Sequence, residues 1–164
     1  LLSHQSARLG SQLKDGEALT ITYLIPLNML LNIGERRRFV YRIAVLTDLK
    51  HEGEHYAKVI NDYCINQKLF TLLETYQNQI VFFKEIRTHV PDIVLLVLPG
   101  VDGLNAAEHL RSLFPGCGII WCSNLDFSLH AFRLRVEYFF LEPVRDDEIQ
   151  EGLRAWFRLK KTII

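Results

Sequence analysis

The chain lacks an excess of charge of either sign. Among its 164 residues, 19 lysines and arginines balance 19 aspartates and glutamates. Nucleic acids and anionic membranes attract proteins through a positive field, which a balanced chain does not generate. We therefore expect no nucleic-acid or membrane contact by this segment itself. A DNA-binding domain elsewhere in a longer protein is compatible with the same balance.

Cysteines and long hydrophobic runs are also scarce. The three cysteines (Cys64, Cys117 and Cys122) are an odd number, and each lies within an apolar run, which favours reduced core residues over a disulfide framework. No apolar run approaches the length of a membrane span, and the N-terminal residues lack a signal-peptide pattern. These absences predict a soluble, cytoplasmic protein.

From Tyr41 onward the sequence alternates short apolar runs with longer amphipathic ones. Five such pairs predict an α/β fold: a doubly wound, five-stranded parallel sheet of the flavodoxin-like class, with strand order 2-1-3-4-5. In such a sheet the working site lies at the carboxyl ends of the strands. The predicted strands are Tyr41–Thr47, Leu69–Tyr76, Ile93–Leu98, Gly118–Asn124 and Glu137–Pro143.

The first helix is predicted to carry one apolar face, formed by Tyr56, Val59, Ile60, Tyr63 and Cys64. The next two helices have well-marked ends. We expect Asn78 to start the second helix and Pro91 to stop it, with a buried side formed by Ile80, Phe83, Ile86 and Val90. We interpret Asp102 as the N-cap of the third helix, which would run through Phe114.

The chain divides into a folded domain at residues 40–161, an extension at residues 1–39 and a tail, or the start of a linker, at residues 162–164. The extension has no clear hydrophobic period. Purine-rich codons for GERRRF (Gly34–Phe39) would resemble a ribosome-binding sequence, so one hypothesis is that translation starts at Val40 and the preceding residues are a translated leader. The alternative is an ordinary extension with a basic linker.

Two segments carry a resemblance to a known family. PDIVLLVLPGVDG (Pro91–Gly103) resembles the third strand of two-component receiver domains, which ends on an Asp nucleophile, but no acid lies between Ile93 and Val101. AFRLRVEYFFLEPV (Ala131–Val144) resembles the fourth-helix and fifth-strand segment of receivers attached to LytTR-type DNA-binding domains. On these segments the chain is identified as a degenerate, atypical receiver from Tyr41 to about Lys161.

The resemblance assigns six positions to the phosphorylation site. In receivers Mg²⁺ and a Lys offset the repulsion between the Asp nucleophile and the phosphoryl group. This chain has Val97 at the nucleophile position, Thr47 and Asp48 at the two magnesium-binding acids, and Glu142 at the Lys. Ser123 and Phe139 keep the switch hydroxyl and the switch aromatic. The resemblance thus implies a receiver scaffold without a catalytic residue, metal or cofactor.

The function implied is a phosphorylation-independent interaction module, not an enzyme, that serves signal transduction and transcriptional regulation. Receivers dimerise through their fourth helix, fifth strand and fifth helix, and on that face Arg133, Arg135 and Glu137 are candidates for ion pairs across a homodimer. Ordinary solvated charge is the alternative. The resemblance also implies a LytTR-like output domain after Ile164.

Two readings of the acidic groups remain open. Asp48 and Glu142 would lie close together, and neighbouring carboxylates raise one pKa or recruit a cation, so they suggest a weak metal or proton-sensing site. In the alternative, Glu142 faces solvent or pairs with Lys50 or Arg145. Asp92 precedes the third strand and therefore lies at the wrong end to replace the nucleophile.

A second class of function is a small-molecule or metal-binding protein, or an enzyme, on the same fold. HEGEH (His51–His55) satisfies the zinc-binding pattern HExxH. Gly53 and the position directly after a strand instead favour a polar entry to the first helix. No glycine-rich phosphate loop follows the first strand, which argues against a nucleotide cofactor.

Overall fold

The computed structural model describes residues Val40–Thr162. The five strands are β1 (Val40–Thr47), β2 (Phe70–Tyr76), β3 (Ile93–Val97), β4 (Gly118–Ser123) and β5 (Tyr138–Leu141). The five helices are α1 (Lys50–Asn66), α2 (Gln79–Glu85), α3 (Gly100–Leu113), α4 (Ser128–Arg133) and α5 (Asp146–Thr162). All strand pairs are parallel, in the order β2-β1-β3-β4-β5, which confirms the predicted fold class.

Both faces of the sheet are covered at its central strand β3, whose five residues are all apolar and buried. Alternate residues of this strand point to opposite sides. Ile93, Leu95 and Val97 join a core formed with α1 and α5. Val94 and Leu96 join a second core formed with α2, α3 and α4. The carboxyl ends of the strands are thereby held on a rigid three-layer support.

The first helix follows its predicted pattern. Its buried residues include every position assigned to the apolar face, namely Tyr56, Val59, Ile60, Tyr63 and Cys64. The three cysteines are free and buried, and burial raises the pKa of Cys64 and Cys117 to about 12 and also that of Cys122. They are apolar core residues with little thiolate character.

The second helix differs from its prediction. Asn78 caps it, since its side chain accepts hydrogen bonds from the backbone N–H groups of Ile80 and Val81. The helix ends at Glu85, well before Pro91, so a helical period extended to Val90 does not apply. The expectation that Ile80 and Val90 are buried is wrong: they are 81 % and 45 % exposed. Phe82 is buried instead, because its ring packs edge-on against Tyr76 of β2, 5.3 Å between centroids.

The third helix begins earlier than predicted. Its N-cap is Pro99, and Gly100 follows with a positive φ of 52° that favours glycine. Asp102 is therefore not the cap; it is an exposed residue of the first turn, where a carboxylate complements the helix dipole. A Cβ at Gly103 would lie 2.6 Å from the carbonyl oxygen of Leu98 and 3.1 Å from Nε1 of Trp121. Because Gly103 has no Cβ, the helix can lie this close to the sheet.

The predictions for residues 1–39 and for Ile163 and Ile164 concern positions outside the described range. Between Val40 and Thr162, no helix is both long and apolar enough to cross a bilayer.

Candidate functional site at the carboxyl end of the sheet

Val97 closes the central strand. It is paired in register with Thr47 of β1 on one side and Cys122 of β4 on the other. Its side chain is only 2 % exposed and belongs to the core between the sheet and helices α1 and α5. Val97, the position expected to hold a nucleophile, is therefore apolar and buried, and it is in register with the ends of the neighbouring strands.

Thr47, the last residue of β1, and Asp48, which follows it, differ in burial. Thr47 is fully buried; its hydroxyl donates to the Glu52 carboxylate at 3.4 Å and accepts from the backbone N–H of Leu49 at 3.3 Å. The close approach of Gly53, whose added Cβ would lie 3.2 Å from Thr47 Cγ2, leaves this threonine little space. Asp48 is exposed. Thr47 thus ties the start of α1 to the sheet, while Asp48 contributes negative charge at the surface.

Three carboxylates interact at this edge: Asp48, Glu52 and Glu142. Partial burial first, and then the negative charges of Glu52 and Asp48, raise the pKa of Glu142. The two basic residues expected as alternative partners are paired with other acids. Lys50 lies 4.0 Å from Glu54, and Arg145 lies 3.1 Å from Asp147. The edge is therefore an exposed anionic cluster.

The two positions that the resemblance assigns to a switch, Ser123 and Phe139, lie in the fourth and fifth strands. Ser123 is fully buried, and its hydroxyl accepts a hydrogen bond from the backbone N–H of Leu125 at 3.2 Å. The half-buried Phe139 meets Trp121 edge-on, with 5.1 Å between ring centroids. Trp121 also stacks on Phe127 at 5.5 Å. Phe139 therefore packs against an aromatic layer that the resemblance did not predict.

Trp121 was missed at the sequence level because its apolar run predicts only a buried strand. Its indole N–H is buried and has no hydrogen-bond partner among the described residues. The indole lies over Gly103 of α3, and this pairing of a strand tryptophan with a helix glycine would have been the available signal.

The HEGEH segment forms the first turns of α1. His51 and His55 are both exposed, and His55 Nε2 lies 2.7 Å from Oδ1 of Asp146, the first residue of α5. Glu52, the glutamate of the HExxH pattern, accepts a hydrogen bond from the Thr47 hydroxyl. Among the residues described, no three His, Cys, Asp or Glu side chains, the carboxylates of the anionic cluster included, are placed so that they could hold a metal ion together. The geometry thus gives this segment a role in joining α1 to α5 and to the sheet.

The charged residues of the expected interaction face have different surroundings. Arg133 and Arg135 are exposed. Glu137 is half-buried: its carboxylate accepts from the backbone N–H of Ile119 at 2.5 Å and lies 4.0 Å from the guanidinium of Arg111. Burial raises the pKa of Glu137, although the bond from Ile119 opposes this effect. The carboxylate of Glu137 is therefore already bound inside the chain, which argues against the ion pair expected of it across a homodimer.

Exposed apolar side chains lie on the same elements as the two arginines. Phe132 of α4 is 81 % exposed. Leu129 of α4, Leu141 of β5 and Leu159 of α5 are also exposed. Among the residues that the structure describes, β5 is an edge strand that pairs with β4 alone, so these elements form an open side of the described domain. We call this set, with Arg133 and Arg135, the α4-β5-α5 surface.

The strand order, the three layers and the placement of the site at the carboxyl ends of the strands define the receiver-like form of the flavodoxin fold. Solved structures agree with this class. A CheY-like response regulator receiver domain protein from Methanospirillum hungatei JF-1 superposes with a TM-score of 0.62 and 15 % identity over 76 % of this chain and 99 % of that chain. A response regulator receiver domain protein from Clostridium thermocellum superposes with a TM-score of 0.61 and 12 % identity, over 76 % of this chain and 99 % of that chain.

Longer proteins are also similar to the chain. The Thermotoga maritima response regulator DrrB, an OmpR/PhoB homologue, has a TM-score of 0.61 and 16 % identity, with 74 % of this chain matching 54 % of that one. The positive alginate biosynthesis regulatory protein of Pseudomonas aeruginosa PAO1 is 37 % identical over 67 residues, which span 39 % of this chain and only 27 % of that protein. No protein-family model matches the sequence. The structural likenesses establish the fold.

Proposed function

We propose that the chain is an atypical receiver that acts in signal transduction through protein–protein contacts and without phosphorylation. The observation that carries this proposal is the buried Val97 at the carboxyl end of the central strand. A valine side chain has no lone pair with which to attack phosphorus. We also infer that the domain has no catalytic residue and no resident metal or cofactor.

The electrostatics of the edge support the same proposal. Phosphoryl transfer needs cations to offset the charge on the phosphate, and here Asp48, Glu52 and Glu142 supply only negative charge. A phosphoryl donor would therefore be repelled from the place where receivers bind it.

The test combines a covalent and a non-covalent probe. The full chain is incubated with acetyl phosphate and Mg²⁺ and examined by intact mass, and its Tm is measured with beryllofluoride and Mg²⁺. We expect no phosphate adduct and no change in Tm. A ligand at a hundred times its Kd would stabilise the fold by about 2.7 kcal/mol, which a melting curve detects readily.

The control is a phosphorylatable receiver treated in parallel, which must acquire phosphate and gain stability. A phosphate adduct on this chain, or stabilisation by beryllofluoride that depends on Mg²⁺, would overturn the proposal. The variant Glu142→Lys tests the nucleophile argument separately: it restores a cation but not a nucleophile, so it should remain unphosphorylated.

We further propose that the α4-β5-α5 surface mediates homodimerisation. Large exposed apolar side chains beside Arg133 and Arg135 give it the mixed apolar and cationic character of interface hot spots. Glu137 is not part of this proposal, since it is bound to Ile119 and lies near Arg111. Any acidic partner of the two arginines must come from another residue.

The output of the module is proposed to be transcriptional regulation through a LytTR-like DNA-binding domain in a longer parent protein. The likeness to a segment of an alginate regulatory protein that is much longer than the match supports this proposal. The balanced charge of the chain fits a module that leaves DNA contact to another domain.

A further inference from the structure

A groove of about 590 Å³ separates α2 from α3, on the side of the sheet opposite α1 and α5. Phe83 of α2 and His109 of α3 meet edge-on across it, with 4.5 Å between ring centroids. Ile80, which is 81 % exposed, also lines the groove. The volume falls in the range of about 300–1,000 Å³ that is typical of small-molecule sites. The groove is distinct from the anionic cluster at the strand ends.

The charge of the groove is one-sided. Lys84 and Arg87 line it, and none of its eight lining residues is an acid. Both cations are exposed, and neither forms an ion pair with an acid within the part of the chain that the structure describes. Asn105 and His109 add polar groups on the facing helix. The groove thus combines an aromatic and aliphatic floor with an uncompensated positive wall.

We propose that this groove binds a small organic anion, with an aromatic or aliphatic body against Ile80 and Phe83 and a carboxylate, sulfonate or phosphate group at Lys84 and Arg87. Burial of apolar surface supplies the affinity, and charge selects the anion. The exposure of Ile80, which the sequence did not predict, contributes to the site. A buried Ile80 would not offer its side chain to a ligand in the groove. This site does not depend on whether the strand ends can be phosphorylated.

The experiment uses two fluorescent probes that share an aromatic body and differ in charge. The full chain is titrated with 8-anilinonaphthalene-1-sulfonate, which is anionic, and with N-phenyl-1-naphthylamine, which is not. We expect saturable binding of both and tighter binding of the sulfonate. The double variant Lys84→Gln, Arg87→Gln should weaken sulfonate binding about tenfold, since each exposed ion pair contributes up to about fivefold. It should leave the uncharged probe unaffected.

Matched variants locate the site. Ile80→Ser should weaken both probes, whereas Phe132→Ser, which changes an equally exposed side chain on α4, should weaken neither. Lys58→Gln, at an exposed lysine of α1, controls for net charge. Non-saturable sulfonate binding, an affinity unchanged in the double variant, or equal losses in Lys58→Gln or Phe132→Ser would each overturn the proposal. All these substitutions are at exposed positions, and circular dichroism will verify that each variant is folded.

Discussion

The ionised form of Glu142 is disfavoured by two effects, partial burial and the negative charges of neighbouring carboxylates. Partial burial, Glu52 and Asp48 all act against its ionised form, so its pKa lies above the usual value for glutamate. In the folded protein this carboxyl therefore binds its proton more tightly than in the unfolded chain. Ionisation of Glu142 consequently lowers the free energy of unfolding.

Replacing Glu142 with Gln should stabilise the protein at neutral pH. The penalty is absent below the unfolded pKa of about 4.3, grows as pH rises through the raised folded pKa, and is complete above it. Because Glu142 is largely exposed, we expect a gain of only about 0.5 kcal/mol for Glu142→Gln at pH 7, and none in acid. Urea unfolding of both proteins as a function of pH measures this difference.

A matched substitution separates the site from general charge effects. Glu108→Gln removes an exposed glutamate of α3 that lies outside the acidic cluster, and it should give no gain. If Glu142→Gln is less stable than the parent at pH 7, then Glu142 is stabilised by a cation and the anionic description of this edge is wrong.

At the scale of secondary-structure elements, Arg111 joins α3 to the loop that connects α4 and β5. Its guanidinium donates to the carbonyl oxygens of Leu134 at 2.8 Å and of Arg135 at 3.0 Å. It also donates to those of Pro115 at 2.7 Å and Cys117 at 2.8 Å, after the end of its own helix. One planar side chain thus fixes two loops, including the positive-φ conformation at Arg135.

Arg111→Gln should destabilise the fold by about 2–4 kcal/mol, because charge-assisted hydrogen bonds are lost and the half-buried carboxylate of Glu137 loses its nearby cation. Arg111→Lys should recover little, since a lysine cannot donate to four carbonyls in a fixed plane. Chemical denaturation measures both. Arg133→Gln is the control for loss of an exposed arginine and should change stability by less than about 0.5 kcal/mol. A loss of similar size in Arg111→Gln would mean that the loops hold their position without it.

The sequence predicts the buried residues of α1 well and those of α2 poorly. The buried face of α1 follows from spacing alone because the helix is long and one side of it lies fully on the sheet. In α2 the same reasoning failed: the helix has seven residues, and contact with Tyr76 rather than period decides that Phe82 is buried. Arg111 could not be anticipated, since its partners are backbone carbonyls brought together by the tertiary fold.

For the molecule as a whole, strand order was predictable because alternating strands and helices allow few connections. The register that aligns Val97 with Thr47 and Cys122 is a separate property, which depends on the side of each strand that is buried. The packing of Trp121 against Phe139 and the internal use of Glu137 were not predictable, because both depend on side chains from separate elements. The same limitation concealed the α2-α3 groove.

The α4-β5-α5 surface should form a dimer, whereas the exposed side of α2 should not. Phe132 and Ile80 are equally exposed, 81 % each, but lie on α4 and α2 respectively. If the α4-β5-α5 surface forms a two-fold symmetric dimer, each Phe132 is buried once in each protomer, and its loss is felt twice. Ile80 is the matched apolar residue outside that surface.

We expect the full chain to show a concentration-dependent monomer–dimer equilibrium in sedimentation velocity. Phe132→Ser should weaken the dimer about tenfold or more, as is usual for an aromatic hot spot, whereas Ile80→Ser should leave the dissociation constant unchanged. Arg133→Glu should also weaken it, with a smaller effect at high salt, because exposed charges are screened there. A chain that stays monomeric at all concentrations, or equal losses from Phe132→Ser and Ile80→Ser, would contradict the interface: the surface would then be left to a different protein partner.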